Sequence, residues 1–315
     1  MNQKYILLIL LLGAGILSGQ SMRVGFWNVE NLFDLENDPT TNDDEFALGG
    51  KKNVTEEIYD LKLKNCAKML SDINADVLGL CEVENYFILD ELNRAYIDRD
   101  YKIIHYDSPD SRGIDNALYY DPEVFTVVDS RAIPNILQDG SRTRDILYVL
   151  GKYKEKDLHI FVNHWPSNYG GKEQAIPKRR TTARLLGNEI ATILSDRSDA
   201  EIVMLGDFNE DPTDDNVQFL KSVNMINLME PMMGTPGIGT YVWRGTDYFL
   251  DQVIISPGLA DGLGLHADTA VILDKPEYRQ QEGDYAHYPF RFWAGNNLLG
   301  GYSDHLPVFV EISIK

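Results

Sequence analysis

The sequence predicts an α/β fold in which mixed β-sheets are covered by helices, and three observations support this prediction. Apolar segments of strand length recur along the chain, and segments with helical periodicity lie between them. Their irregular order argues against a barrel built from eight strand–helix repeats. No Ser/Gly/Pro-rich linker or internal repeat divides the chain, so we expect one domain spanning residues 22–315.

The first half of this domain is predicted to alternate strands and helices. The 55–73 segment indicates a helix because it opens with Thr55 and Glu56 and repeats apolar residues three and four positions apart. In chain order the elements are the strand "MRVGFWNVE", this helix, the buried strand "DVLGLCEVE", the helix "NYFILDELNRAYI" and the strand "YKIIHYD". The next two strands, "DNALYYDP" and "VFTVVDS", are predicted to pair with each other.

The second half begins with a predicted strand pair, "DILYVLGKY" and "LHIFVNHW", joined across the turn "KEKD". The expected elements that follow are a long helix with a proline near its start (173–196), the strand "EIVMLGDFN", a short helix (213–222), the strands "YFLDQVIIS" and "DTAVIL", an aromatic-rich loop and the closing strand. Asp211, Asp214 and Asp215 precede or open the short helix. Helix capping is favoured over calcium binding for them.

Residues 1–21 predict a secretory signal peptide. One lysine precedes an apolar run at 6–12, which continues through small residues to Leu17 and is short for a bilayer span. We expect cleavage between Gly19 and Met22, no transmembrane segment afterwards, and a secreted or periplasmic protein. An uncleaved membrane anchor is the alternative.

The composition limits the classes of partner. A formal net charge of −20 disfavours a general nucleic-acid-coating role, because polyanions repel such a protein at long range. Residues 172–184 nevertheless hold five basic residues against one acidic residue, a run that taken alone suggests a solvated helix face. Cys66 and Cys81 are expected to be core residues without a disulfide. No stable protein partner is indicated, and a monomer is expected.

Apolar strands repeatedly end in side chains that carry oxygen or imidazole groups. These residues are Asn28, Glu82, Asn163, His164, Asp207, Asn209 and Asp251, and Asp304 and His305 stand just before the closing strand. Carboxylates that meet repel one another unless a cation or a proton lies among them. One or two carboxylates, an amide and water suit Mg²⁺ better than Zn²⁺. The pattern therefore predicts metal-assisted attack of water on a phosphoester.

Seven segments in this order carry a resemblance to a known family: "FWNVENLFD", "LCEVEN", "RGIDNALYYDP", "NHWPSNYGG", "GDFNEDP", "FLDQVIIS" and "GGYSDHLPV". From about residue 22 to residue 312 the chain resembles the endonuclease/exonuclease/phosphatase superfamily, which includes deoxyribonuclease I and exonuclease III, and in particular its secreted bacterial members. The resemblance implies a four-layer α/β sandwich with the site at the rim between two packed sheets.

The resemblance also implies roles for individual residues. Glu82 would be the principal metal ligand with Asn28 and Asp304 beside it. Glu30 would hold water or a second ion, or be a structural polar group. Asp207 would orient or deprotonate the attacking water, and Asn209 would donate to the phosphate. His305 and Asp251 would form a catalytic dyad, and His164 would contact the scissile phosphate or the leaving group. Independently of the resemblance, the basic run predicts that Arg180 and Arg184, one helical turn apart, bind a polyanion. Arg112 and Asn116 are expected to reach the site.

The substrate stays open at this point. The leading hypothesis is a Mg²⁺-dependent nuclease or phosphodiesterase, with Mn²⁺ as a substitute, acting on nucleic acid or nucleotides. The alternative is a phosphatase or a sphingomyelinase-like phosphodiesterase, which the acidic surface favours. A catalytically inactive binding domain is the third hypothesis. The aromatic residues of the 276–302 loop are expected either to stack bases or to pack as a small core, while Trp165 is expected to pack.

Overall fold

The computed structural model describes residues 21–315, so the predicted signal peptide at 1–21 lies, apart from Ser21, outside the described residues. Within this part of the chain the α-helices are α1 (Glu56–Ile73), α2 (Tyr86–Ala95), α3 (Lys172–Asp196) and α4 (Asp215–Ser222). Short 3-10 turns lie at Glu230–Met232, Pro257–Leu259 and Pro276–Tyr278. None of the helices in the described range is both long and apolar enough to cross a membrane.

The strands fall into two large sheets and two hairpins. In chain order they are β1 (Met22–Leu32), β2 (Val77–Val83), β3 (Lys102–His105), β4 (Asp115–Tyr120), β5 (Phe125–Ile133), β6 (Ile146–Tyr153), β7 (Lys156–His164), β8 (Ile202–Asp207), β9 (Ile226–Asn227), β10 (Tyr241–Trp243), β11 (Thr246–Tyr248), β12 (Asp251–Ile255), β13 (Leu265–Ala267), β14 (Val271–Ile272), β15 (Trp293–Ala294), β16 (Asn297–Leu298) and β17 (Val308–Ile314).

The first sheet has the order β13-β17-β1-β2-β4-β3, with β14 also on β17, and the second has the order β5-β6-β7-β8-β12-β9. The β1–β2 and β7–β8 pairs are parallel, and the other pairs within these sheets are antiparallel. The remaining strands form the hairpins β10–β11 and β15–β16. Both sheets are therefore mixed, as the sequence predicts.

The two sheets pack face to face, and helices cover their outer faces. Successive residues of β1 alternate, so that Phe26 lies in the core between the sheets and Trp27 lies under α1 and α2. On the second sheet Val203 faces the inner core, and Met204 packs with residues of α3 and α4. This gives helix, sheet, sheet and helix layers, so the predicted four-layer α/β sandwich is confirmed.

Local signals account for several element boundaries. The Thr55 hydroxyl accepts a hydrogen bond from the Ile58 amide at 3.3 Å and caps α1, which ends at Asn74 in a left-handed conformation. Asp214 occupies the N-cap of α4, but its carboxylate accepts a hydrogen bond from the Asp211 amide instead of from the helix. Capping by the Asp214 side chain, which the sequence predicted, is therefore wrong.

The predicted pairing of "DNALYYDP" with "VFTVVDS" is also wrong. The first of these strands, β4, pairs with β2 and β3 in one sheet, whereas β5 pairs with β6 in the other. The chain crosses between the sheets at residues 121–124, and the apolar pattern of a strand does not specify its partner. The predicted hairpin of β6 and β7 is confirmed, and Cys66 and Cys81 are buried free thiols as expected.

Candidate active site

The register of the second sheet places three polar side chains side by side at one edge. His164 at the end of β7 is opposite Asp207 at the end of β8, and Asp207 is opposite Asp251 at the start of β12. The loop before β17 brings His305 to this edge, where its Nδ1 lies 2.7 Å from Oδ2 of Asp251. The structure therefore joins the two residues of the predicted dyad.

Two backbone irregularities shape the matching edge of the first sheet. Pairing of β1 with β2 shifts register between Asn28 and Leu32, and pairing of β2 with β4 shifts between Cys81 and Val83. At these bulges Glu30 and Glu82 adopt positive φ angles of 54° and 60°. Residues other than glycine rarely adopt this conformation. β-Bulges change the direction in which side chains point, and they are common beside active sites.

Hydrogen bonds between the sheets hold these two edges together. The Asn28 amide donates to Oδ2 of Asp207 at 3.2 Å, and its Oδ1 accepts from the Glu30 amide. The Ser303 hydroxyl donates to the Asn28 carbonyl at 2.7 Å and accepts from the His305 amide at 3.0 Å. Asn28 thus bridges the sheets, while its role as a metal ligand stays a prediction.

The two histidines of the site have opposite electrostatic surroundings. Although burial lowers the pKa of His305, the carboxylates of Asp251 and Asp207 raise it well above the usual value. Burial lowers the pKa of His164 well below the usual value, and Arg144 and Arg112 add to this effect. Near neutral pH, His305 is therefore cationic and His164 is neutral.

Asp207 lies close to both histidines. Its Oδ2 is 3.7 Å from Nε2 of His164 and 3.9 Å from Nε2 of His305. Burial raises the pKa of Asp207 to about 7; His305 opposes the rise, and Asp251 adds to it. The amide of Asn209 donates to Oδ1 of Asp207 at 2.9 Å, which anchors the carboxylate. A carboxyl group with this pKa can accept a proton from water.

The carboxylates of Glu82 and Asp304 both line the cleft, and each keeps one oxygen that has only distant polar neighbours. Oε2 of Glu82 accepts a hydrogen bond from the Asn31 amide, while its Oε1 lies 3.8 Å from His164 and 3.9 Å from Arg112. Oδ2 of Asp304 pairs with Arg291 at 2.8 Å, and its Oδ1 is 4.0 Å from Nε2 of His305. Carboxylate oxygens are the ligands that hard metal ions prefer, so the donor chemistry suits a divalent cation. The role of Glu82 and Asp304 as metal ligands stays a prediction.

One compact set of potential metal ligands overlaps the dyad. Asp207, Asp251 and His305 place one ligand atom each within 4.8 Å of one another, close enough to hold a metal ion. The short hydrogen bond between Asp251 and His305 occupies Nδ1 of the imidazole, so we favour the dyad as the role of this pair.

Glu30 makes a structural contribution in this arrangement. Its carboxylate accepts hydrogen bonds from the amides of Phe292 at 2.6 Å and Trp293 at 3.1 Å, and it pairs with Arg291 at 3.4 Å. Burial and then the charge of Asp304 raise the pKa of Glu30 to about 7. Glu30 thereby anchors the loop that carries Arg291, and its role as a metal ligand stays a prediction.

A cleft of about 670 Å³ opens above these groups. Six predicted residues line it, namely Glu82, His164, Asp207, Asn209, Asp304 and His305. Asn209 donates its side-chain amide to the Trp165 carbonyl at 3.0 Å. Asp251 lies behind His305, fully buried. The structure therefore collects most of the predicted catalytic residues at one cleft.

The predicted substrate-binding residues lie at or beyond its margin. Arg180 and Arg184 are exposed on α3 and do not line the cleft. Asn116 is buried and donates to the Asp145 carbonyl at 2.8 Å. Arg112 does not line the cleft, but its Nη2 lies 3.9 Å from Oε1 of Glu82, which does.

Arg179, a member of the same basic run, contradicts the prediction of a solvated helix face at its own position. Its side chain is fully buried and pairs with Glu210 at 2.7 Å.

Sequence reasoning assigned no individual role to several residues that line the cleft, namely Ser167, Asn168, Tyr169, Lys172, Tyr241, Trp243 and Tyr248. The Tyr241 ring lies 4.9 Å from the His305 ring. Alternating aromatic residues around Arg244 and Gly245 could have predicted the β10–β11 hairpin that carries it. Trp165 is fully buried against Phe208, so its predicted packing role is confirmed.

The whole of this architecture matches a known family. Residues 23–314 match the model of the Endonuclease/Exonuclease/phosphatase family. The chain belongs to this family. It is therefore a phosphoesterase of that family with a buried cluster of acidic and histidine side chains. The predicted resemblance to this family is confirmed, and the resemblance to its secreted members stays a prediction.

Solved structures show the same fold at low sequence identity. D. rerio TDP2 complexed with single strand DNA product is 14% identical, with a TM-score of 0.60, and the match covers 93% of this chain and 99% of that one. The human Nocturnin catalytic domain with bound sulfate is 20% identical (TM-score 0.58; 94% and 95% covered). The Bacteroides thetaiotaomicron mannosyl-6-phosphatase Bt3783 is 17% identical (TM-score 0.60; 93% and 100% covered). No curated protein sequence matches the chain.

Proposed function

We propose that this family member is a divalent-metal-dependent phosphodiester hydrolase that acts on nucleic acid or nucleotides. The observation that carries the proposal is that the Asp251–His305 pair and Asp207 adjoin a cleft that Glu82 and Asp304 also line. Glu82 and Asp304, with Asn28 beside them, would hold Mg²⁺ or Mn²⁺. When bound, such an ion would neutralise charge on the phosphate and the leaving oxygen.

The protein side chains divide the remaining work. Asp207 accepts a proton from the attacking water, whose oxygen bonds to phosphorus as the ester P–O bond breaks. Cationic His305, oriented by Asp251, donates to a phosphate oxygen as negative charge develops there. Neutral His164 and the Asn209 amide donate to the remaining oxygens. The leaving alkoxide recovers a proton from solvent.

We also propose that the protein acts outside the cytoplasm, because the N-terminal apolar run has the length and the polar exit of a signal peptide. Sequencing the N-terminus of protein from the periplasm or the culture medium tests this proposal. A start between residues 20 and 22 supports it, and a start at Met1 contradicts it.

A second candidate is a phosphatase or phosphodiesterase for small phosphorylated molecules. The net charge of −20 opposes long polyanions, and the exposed Arg180 and Arg184 lie away from the cleft. Lys172 is the one lysine or arginine among the described residues that line the cleft. D. rerio TDP2 was solved with a single strand DNA product and Bt3783 is a mannosyl-6-phosphatase, so relatives illustrate both options.

The deciding experiment is a substrate panel with plasmid DNA, RNA, bis-p-nitrophenyl phosphate, p-nitrophenyl phosphate, mannose 6-phosphate and sphingomyelin. Each is tested with Mg²⁺, Mn²⁺, Ca²⁺ and chelator. We expect diester cleavage that chelator abolishes and Mg²⁺ or Mn²⁺ restores. Full activity in excess chelator would contradict the metal mechanism, and cleavage of monoesters alone would favour the second candidate. Glu82→Gln should weaken metal binding in calorimetry, whereas Glu91→Gln on α2, outside the cleft, should not.

A further inference from the structure

A second cavity of about 390 Å³ adjoins the catalytic cleft. The two share Tyr241, Trp243 and Asp304 in their walls. A substrate group bound in the second cavity would therefore lie directly beyond the residues that surround the scissile phosphate. Its other lining residues include Arg244, Tyr285, Tyr288 and Arg291.

The β10–β11 hairpin forms the wall between the cavities and is held at both ends. At its base the Tyr241 ring packs 4.9 Å from the His305 ring. At its tip Arg244 and Gly245 form the turn with φ angles of 49° and 80°, and the Gly245 amide donates to the Tyr288 hydroxyl at 2.6 Å. The hairpin thus has a fixed position relative to the dyad.

The exposed groups on this wall are planar or cationic. Trp243 is 53% exposed, and the Arg244 guanidinium carbon lies 5.6 Å from the centroid of its ring. No carboxylate lies within ion-pair distance of Arg244 in the described chain, whereas Arg291 pairs with Asp304 and Glu30. Tyr285, also on the cavity wall, is 60% exposed and contacts the Tyr288 ring edge-on. Half-exposed rings at a cavity wall leave their faces free to stack on a ligand.

We propose that this cavity is a subsite for the nucleoside next to the scissile phosphate of a single-stranded nucleic acid. The base stacks on Trp243, and Arg244 contacts the neighbouring phosphate. Stacking of a base on an aromatic side chain combined with a guanidinium–phosphate contact is the usual chemistry of single-strand recognition. This inference rests on the proposed phosphodiesterase function, and it specifies single-stranded nucleic acid as the class of substrate. A sugar or a choline head group can also contact a ring face, so the tests below compare ligands with and without a base.

The kinetic test uses two diesters that share a leaving group, thymidine 5′-p-nitrophenyl phosphate and methyl p-nitrophenyl phosphate. Trp243→Ala should raise KM for the thymidine ester about tenfold more than KM for the methyl ester, and circular dichroism verifies folding. Trp243→Phe should restore most of the affinity. The matched control is Phe87→Ala, since Phe87 is equally exposed on α2 and lines neither cavity. Equal changes on both esters, or none, would overturn the subsite.

Arg244 is tested separately with a thymidine tetranucleotide. Arg244→Ala should raise KM and flatten its dependence on salt, while Arg94→Ala on α2 should do neither. An unchanged salt dependence in Arg244→Ala would contradict the phosphate contact.

Intrinsic fluorescence tests binding without turnover. Trp27, Trp165 and Trp293 are buried, so Trp243 is the exposed member of the four tryptophans in the chain. In chelator, a thymidine tetranucleotide should quench this emission, and an abasic tetranucleotide with the same phosphates should not. Quenching by both or by neither would overturn base stacking. If the protein cleaves neither diester, the proposed function fails, and this arm still decides the subsite.

Discussion

Replacing Arg179 by alanine should lower the free energy of unfolding by about 3 to 5 kcal/mol. The side chain is fully buried; Nε bonds to Glu210 at 2.7 Å, and Nη1 bonds to the Pro166 carbonyl at 2.9 Å and to Oδ1 of Asn168 at 3.0 Å. The alanine variant would leave the buried Glu210 carboxylate without its counter-charge. Removal of one partner of a buried pair costs more than the net value of the pair, because the desolvated charge remains.

The neighbouring residue provides a matched control. Arg180 carries the same charge on the same helix but is exposed, so Arg180→Ala should change the unfolding free energy by less than about 0.5 kcal/mol. Urea denaturation of both variants at one pH measures the difference. The double variant Arg179→Met/Glu210→Leu should recover much of the loss, because it removes both charges. A loss below about 1 kcal/mol in Arg179→Ala would refute the reasoning.

Three further predictions follow from the site and the core. His305→Ala should lower turnover by about two to four orders of magnitude, Asp251→Asn by less, and the double variant should be little worse than His305→Ala; multiplicative losses in steady-state kinetics would contradict the dyad. Although burial opposes it, hydrogen bonds from Lys68, Tyr278 and Lys275 lower the pKa of Asp72 to about 2. The ionised Asp72 carboxylate therefore contributes to the free energy of unfolding above its unfolded pKa of about 3.8. This contribution is lost as the pH falls toward 2. Asp72→Asn should accordingly cost about 1 kcal/mol at pH 7 and progressively less between pH 4 and pH 2 in urea titrations; a difference that does not depend on pH would contradict this. Gly206→Ala would place a Cβ 2.3 Å from the Asn163 carbonyl oxygen, so it should destabilise the fold by about 1 to 3 kcal/mol or more in thermal melts, and an unchanged melting temperature would count against the packing at this edge.

Local sequence signals predicted the elements whose causes are local. The α1 helix depends on its cap at Thr55 and its apolar spacing, both of which lie within the segment itself. The β6–β7 hairpin depends on a short turn between two apolar runs. Strand-end side chains such as Glu82, His164 and Asp207 could be proposed as site residues because a strand's end reaches the sheet edge whatever its neighbours are.

Arg179 and Arg180 show where this reasoning stops. Adjacent helical positions differ by about 100° around the axis, so one points to the core and the other to solvent. Composition indicates only that the run is basic. Glu210, which pairs with the buried Arg179 side chain, lies 31 residues away in the sequence. The 276–302 loop divides in the same way, with Tyr278, Phe292 and Trp293 buried while Tyr285 faces the second cavity.

By itself, the sequence determined the class of fold, the oxygen and imidazole character of the strand ends, and hence a phosphoester chemistry. Tertiary structure alone decided which groups meet. Asp251 and His305 are 54 residues apart, and Asn28 and Asp207 are 179 apart, yet each pair is hydrogen-bonded. Periodicity records which face of an element is buried, but it does not record which element covers that face. Sheet order and register supply this information, because they arise from packing of the whole chain.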